Sequence, residues 1–497
     1  MEFISTRDVT LRLSASEVIK KGLSDDGGLF VPECFPTLSS EQMRALLPMS
    51  YQQRATAIME LYLSDYTHEE VEQCVNAAYS TPKFETPDIA HTVKLDNITS
   101  VCELWHGPTS AFKDMALQML PQLLPLAIRK TGEERTVVIL VATSGDTGKA
   151  ALEGFRDVAG TRMVVFYPKD GVSDIQRLQM ATQQGENVAV VAIDGNFDNA
   201  QSGVKALFSD RELAQRVARD GYLFSSANSI NFGRLLPQIV YYFSAYCDLV
   251  NSGRLAFGDR VNFAVPTGNF GNILAGYYAM RMGLPVSRLI CASNRNNVLT
   301  DFFASGTYDR NRPFYLTESP SMDILISSNL ERLLFELAGR DDALVREWMS
   351  SLAERGTYSV PETVERAAQT VFYGGCCDSA GTSRAIERAY SQYGYTLDPH
   401  TAVAFAVAQD YREETGDSTQ TVIMSTASPF KFSGSVLSAL GRRVAADEFE
   451  NLAALSELTG LHIPEPMALL QKLPVRFSDV CDKGDMERAV LDILQKK

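Results

Sequence analysis

Lys113 lies near the end of a run, Glu103-Leu104-Trp105-His106-Gly107-Pro108-Thr109-Ser110-Ala111-Phe112-Lys113-Asp114, that sets one amine among aromatic, small and Gly/Pro residues. A lysine usually keeps its head in water and lays only its stem on apolar surface. Behind Trp105, Phe112 and Ala111 the amine is partly desolvated, which lowers its pKa towards the range of a nucleophile or base. An amine of that kind can form a Schiff base with a carbonyl compound. Taken alone, the segment equally fits a lysine at a helix start beside two core aromatics.

Three turns add anion-binding chemistry. Thr143-Ser144-Gly145-Asp146-Thr147-Gly148-Lys149 follows the β-branched run Thr136–Val141 and opens a helix at Ala150. Hydroxyls, glycines and free N–H groups at a helix start cradle a carboxylate or phosphate. A Walker A loop is excluded, because Thr143 stands at the first glycine position and Ala150 replaces the Mg-binding hydroxyl. A Ser/Thr-rich helix cap is the plainer reading of the same residues. Pro266-Thr267-Gly268-Asn269-Phe270-Gly271-Asn272 follows the run Val261–Val265 and precedes a helix at 273–280. Its two glycines let backbone approach a phosphate closely, without a metal. Ser425-Thr426-Ala427-Ser428-Pro429 follows Thr421–Met424 and offers a neutral hydroxyl to a ring nitrogen, or is a simple turn. Between these lies Ser225–Arg234, with amide donors and one arginine suited to phosphate or carboxylate. Asp398 and Thr401 are candidate helix caps, and His400 beside Pro399 reads as a packed or capping residue.

The elements that must position these turns alternate. The short Val/Ile-rich runs Thr136–Val141, Met163–Tyr167, Val188–Ile193, Val261–Val265, Leu289–Ala292 and Thr421–Met424 are separated by amphipathic helical stretches, the mark of parallel strands buried on both faces. The class is α/β with helices on both sides, and ligands are expected beyond the carboxyl ends of the strands. Residues 1–97 read as mixed and mostly helical; 307–370 and 441–497 look helical and carry no obvious motif.

At 497 residues the chain can build two or three domains. Its net charge of −15 argues against nucleic acid or a membrane surface as partner, although a small anion needs only a local basic pocket. The eight cysteines form no CxxC pair and suit a reducing compartment. The five histidines form no metal-binding pattern, so no metal is expected. No membrane-spanning run or targeting segment is read, which points to the cytoplasm. Monomer and homodimer both stay open.

These motifs together resemble the threonine synthase family of fold type II pyridoxal-phosphate enzymes. Trp105–Asp114 is similar to its lysine-bearing segment, Thr143–Gly148 to its TSGDTG loop and Gly268–Asn272 to its phosphate loop. Ser225–Gln238, Ser319–Leu334, Asp398–Ala404 and Ser425–Phe432 match further segments, as does the pattern from Ser5-Thr6-Arg7 to Pro32. Asp8 departs from the glycine often found after Ser-Thr-Arg. The resemblance implies a tryptophan synthase β-like architecture: two open, parallel-rich sheets flanked by helices, plus an N-terminal domain. It divides the chain into an N-terminal domain (1–97), a large cofactor domain (98–129 and 233–497) and a small mobile domain (130–232). It also implies pyridoxal 5'-phosphate on Lys113, with Gly268, Asn269, Phe270, Gly271 and Asn272 on the cofactor phosphate and Thr426, rather than Ser425, at the pyridine nitrogen. Ser144, Gly145, Asp146 and Thr147 would take the substrate carboxylate, and charge and placement nominate Lys149, Asn231 and Arg234 for the substrate phosphate. The implied reaction is a carbon–oxygen lyase step, O-phospho-L-homoserine plus water giving L-threonine plus phosphate. The alternatives are a phospho-lyase that yields 2-oxobutyrate, a hydroxy-amino-acid dehydratase and a non-catalytic regulatory homologue.

Overall fold

The computed structural model describes residues 1–143, 145–169, 172–195 and 197–495. Two open sheets organise it. In the larger sheet the strand order is Phe372–Cys376, Val286–Ser293, Val261–Pro266, Thr421–Ser425, Thr99–Glu103 and His91–Lys94. All neighbours in it run parallel except the last pair, where His91–Lys94 lies antiparallel on Thr99–Glu103. Val261–Pro266, Thr421–Ser425 and Thr99–Glu103 are buried along their whole length, covered on both faces. The second sheet is parallel throughout, in the order Val480–Asp482, Val188–Asp194, Thr161–Pro168, Thr136–Ala142 and Tyr222–Ser225.

Residues 1–78 form a three-stranded antiparallel sheet with short helices. Four of these helices start in capping boxes, at Ser14/Glu17, Ser39/Gln42, Ser50/Gln53 and Thr67/Glu70, which satisfy otherwise orphan N–H groups from both sides. Their apolar faces share one core with the larger sheet, from Phe3 through Tyr62 to Phe263 and Met424.

Two elements lie elsewhere than the expected division. His91–Lys94, expected in the N-terminal domain, is the edge strand of the larger sheet. Val480–Asp482, expected in the large domain, pairs with Ala192–Asp194 of the second sheet. The helix Met486–Gln495 that follows buries Met486, Val490 and Leu494 in that sheet's outer core, beside Val191 and Val204. Gly203 permits this contact, since a Cβ there would meet the Met486 sulfur at 2.1 Å. Among the described residues no helix is long and apolar enough to cross a membrane.

Candidate active site

Three adjacent parallel strands deliver the site. Thr99–Glu103, Thr421–Ser425 and Val261–Pro266 are neighbours in that order, so the turns at their carboxyl ends meet on one edge of the sheet. The lysine turn and the Ser425–Ser428 turn are joined by backbone bonds: Leu104 N–H to Ser425 O (3.0 Å), Phe112 N–H to Thr426 O (2.8 Å) and Ser428 N–H to Ser110 O (3.0 Å). Gly107 is required because a Cβ would meet the Asp114 side chain at 2.6 Å. That carboxyl accepts from Thr109 N–H at 2.8 Å and Thr109 Oγ1 at 2.7 Å, fixing the turn into the helix Lys113–Leu117. Burial pushes Asp114 up to about 6 against those bonds.

Lys113 is buried and lines a cavity of about 1590 Å³ between the sheets. Its Nζ donates to Ser321 Oγ at 2.9 Å and lies 3.7 Å from Asp146 Oδ2. Burial lowers the amine to about 8; Asp146 opposes the fall, and Lys431 and Arg234 add to it. An amine in that range can exchange its proton near neutrality.

The Gly268 turn is built to leave donors free. Ser327 Oγ donates to Gly268 O at 2.6 Å, and Asn329 Nδ2 donates to Asn269 O at 2.8 Å. A Cβ on Gly268 would lie 2.5 Å from Ser321 O. Phe270 takes φ 62°, in the left-handed region, with its ring packed against Phe303 and Phe372. The helix Gly271–Arg281 starts at that point, so N–H groups of its first turn are without helical acceptors. Asn272 Oδ1 accepts from Tyr241 at 2.7 Å and Tyr242 at 2.9 Å, which leaves its buried Nδ2 without a partner.

At the third turn Ser425 Oγ accepts from Trp105 Nε1 at 3.0 Å and lies 3.2 Å from Thr401 Oγ1, whose own proton goes to Asp398. Thr426 lines the cavity, with its N–H on Thr401 Oγ1. Asp398 caps the helix Pro399–Thr415 and accepts from His400 and Thr401. His400 packs against Asp398 through Nδ1 and accepts from Ser321 N–H through Nε2 at 3.2 Å, so the capping residue also backs the cavity wall.

From the second sheet, Thr143 Oγ1 accepts from Gly145 N–H (3.0 Å) and Gly148 N–H (2.9 Å), shaping the turn before the helix Asp146–Phe155. Thr147 lines the cavity. Ser144 lies outside the described residues. The Asp146 side chain is engaged elsewhere: it bonds Lys431 at 2.9 Å and Gln176 at 3.0 Å. Against the cost of burial, Lys431 and Lys113 hold its carboxyl well below the usual range.

The three residues nominated for a phosphate separate. Arg234, in the first turn of the helix Phe232–Asn251, lines the cavity and is buried. Nη1 donates to Ala227 O at 3.0 Å, Nε has no partner, and no carboxylate among the described residues pairs with it. Burial alone lowers it to about 10. Lys149 instead pairs with Glu153 at 3.0 Å and Gln183 at 2.5 Å, so its charge is already answered. Asn231 caps the long helix: Oδ1 accepts from Gly233 N–H at 2.8 Å and Nδ2 donates to Ile19 O at 3.0 Å. Both amide protons of Asn231 are taken, the second by Ser226 O at 3.2 Å, and neither Lys149 nor Asn231 lines the cavity. Sequence reasoning missed Ser321 and Lys431; the apolar setting of Lys431 between Phe430 and Phe432 was the available signal.

Family models match in order along the chain: "Threonine synthase N terminus" at residues 2–79, "Pyridoxal-phosphate dependent enzyme" at 76–427 and "Threonine synthase, C-terminal" at 401–489. Threonine synthase of Pseudomonas aeruginosa is 39% identical, over 87% of this chain and 89% of that one. The chain belongs to the threonine synthase family. The crystal structure of pyridoxal-phosphate-bound threonine synthase from Brucella melitensis is similar over the full length of both chains, with 36% identity and a TM-score of 0.88. That of yeast threonine synthase has 33% identity and the same TM-score, over 100% of this chain and 99% of that one. Human threonine synthase-like 1 is 41% identical over 88% of this chain, and the chain spans 60% of that protein's length. Fold type II architecture and pyridoxal phosphate as cofactor follow from family membership. The chemistry around Lys113 fits that cofactor: a buried amine, an unpartnered Asn272 amide and a glycine turn a Cβ would fill.

Proposed function

We propose that the chain is a threonine synthase, converting O-phospho-L-homoserine and water to L-threonine and phosphate. Arg234 carries this reading. It is a buried cation facing the cavity with an unpartnered Nε and, among the described residues, no carboxylate, while the Gly268–Asn272 turn supplies separate anion donors. Two anion sites beside one lysine suit a phosphorylated cofactor and a phosphorylated substrate; a neutral hydroxy-amino acid needs only the first.

Bound pyridoxal phosphate supplies an electron sink for negative charge developing at the substrate Cα. Gly268, Asn269, Phe270, Gly271 and Asn272 would hold its phosphate and Thr426 its pyridine nitrogen. Ser425 suits that contact less, since its hydroxyl is engaged with Trp105 and Thr401. A hydroxyl partner leaves the nitrogen unprotonated. Thr147, with Ser144 by resemblance, would orient the substrate carboxylate at the start of the helix Asp146–Phe155, while the Gly145 N–H is held by Thr143. Arg234 would hold the substrate phosphate. Lys113 would then move protons at Cα and Cβ, a task suited to an amine that burial brings to about 8. Closure of the second sheet over the cavity would exclude bulk water. The eight unpaired cysteines suit a reducing compartment, and we place the enzyme in the cytoplasm.

Substrate competition tests the reading. The holoenzyme should turn over O-phosphohomoserine at least about 10³-fold more efficiently, in kcat/KM, than L-serine or L-threonine, because the latter leave Arg234 unpaired. Comparable efficiency with the hydroxy-amino acids would make it a dehydratase.

A further inference from the structure

A second lysine stands behind the first. Lys431 lies in the short turn Pro429–Phe432 after the strand Thr421–Ser425, and its side chain is fully buried. Its ammonium donates to Thr109 O at 2.9 Å, to Gln179 Oε1 at 3.3 Å and to Asp146 Oδ1 at 2.9 Å. The other oxygen of that carboxylate faces the Lys113 amine at 3.7 Å. One carboxylate therefore sits between two lysines. The other groups around Lys113 come from four elements. Arg234 projects from the long helix, and Ser321 Oγ bonds the amine with His400 and Asp398 behind it. Asp114, next on the same helix, turns to Thr109.

A buried carboxylate this close to an amine favours the ammonium form, and an ammonium nitrogen has no lone pair for attack on a carbonyl. Asp146 would thus oppose the chemistry of Lys113 unless its charge were already neutralised. Nothing in substrate or cofactor binding accounts for Lys431, which is buried away from the cavity. We propose that Lys431 is a positioning residue that neutralises Asp146 and so keeps that carboxylate from trapping Lys113 as an ammonium ion. The step served is cofactor capture. The neutral Lys113 nitrogen bonds to the aldehyde carbon of pyridoxal phosphate, the aldehyde oxygen departs as water, and no electron changes hands. The proposal rests on Lys113 being the capturing lysine.

The test follows the absorbance of the Schiff base as full-length apoprotein is mixed with pyridoxal phosphate, at pH values from about 6 to 10. Lys431→Met should raise the midpoint of the capture rate by about one pH unit and slow capture about tenfold at neutral pH. Asp146→Asn should lower the midpoint, since Lys113 then faces only cations. The double variant should return close to the parent, and Lys431→Arg, which keeps the charge, should leave the midpoint in place. A Lys431→Met midpoint that stays put or falls overturns the proposal. If Lys431→Met does not fold, an Asp146→Asn midpoint that is unmoved or raised overturns it just as well. The control is Lys113→Ala. Its loss of the Schiff-base signal is expected; a retained signal overturns the assignment of Lys113, whereas a lost signal with unmoved midpoints overturns only the role of Lys431.

Discussion

Replacing Arg234 by methionine should pull stability and activity in opposite directions. In the free protein the guanidinium is buried, Nε is unbonded, and among the described residues it bonds only Ala227 O. An unsatisfied buried donor costs about 1–3 kcal/mol and burial of an unpaired charge adds to that cost, while the charged hydrogen bond lost to Ala227 O offsets about 1.5–3 kcal/mol of it. Methionine has similar length and fills an irregular apolar space well. Arg234→Met apoprotein should therefore be unchanged or stabilised by up to about 2 kcal/mol. The loss falls on the substrate. Two charge-assisted bonds to a phosphate are each worth about 1.5–3 kcal/mol, so kcat/KM for O-phosphohomoserine should drop about 10²- to 10⁴-fold. Affinity for pyridoxal phosphate should stay within about threefold, because its phosphate is assigned to Gly268–Asn272. Urea unfolding of the apoprotein, cofactor titration and steady-state kinetics read the three terms separately. A kcat/KM within about threefold of the parent would refute the assignment of Arg234. So would several kcal/mol of apoprotein destabilisation, which would make the arginine a structural prop.

Other substitutions probe the frame. Gly268→Ala places a Cβ 2.5 Å from Ser321 O, a backbone atom, and should weaken pyridoxal-phosphate binding about 5- to 150-fold, from the 1–3 kcal/mol of overpacking; unchanged affinity by titration would show that the turn yields. His106 is largely buried, and although burial alone would lower its pKa, hydrogen bonds to Glu103 and Glu85 raise it to about 9. A raised folded-state value means its contribution is fully present below about pH 6.5 and is lost as pH climbs through about 9. His106→Asn should flatten the stability profile between those values by up to about 3 kcal/mol, and an unaltered profile in urea titrations would refute the pairing. Truncation after Ser478 removes the strand Val480–Asp482 and the buried Met486, Val490 and Leu494. It should destabilise the second sheet by about 4–6 kcal/mol, read as early loss of amide protection in Val188–Asp194.

Six of the parallel strands were legible because burial on both faces leaves Val/Ile-rich runs, and the turns after three of them pointed to the site; Thr99–Glu103, Phe372–Cys376 and Tyr222–Ser225 carry no such run and were not legible. What escaped was pairing across the chain. Lys149 carries the charge a phosphate wants, but Glu153 four residues on is the i,i+4 partner that takes it. Asn231 stands just before a helix, and its cap role consumed the donor and acceptor offered to a ligand. Lys431 and Ser321 reach Lys113 or its carboxylate across 208 or more residues of sequence, a proximity no local pattern carries. Val480–Asp482 is three residues long, too short for a periodicity to show, and joins its sheet only at the edge.

The product of O-phosphohomoserine turnover tests the central claim most directly. Purified holoenzyme should release phosphate and L-threonine in equal amounts, with 2-oxobutyrate a trace; phosphate matched by 2-oxobutyrate instead would contradict the account and make the protein a phospho-lyase.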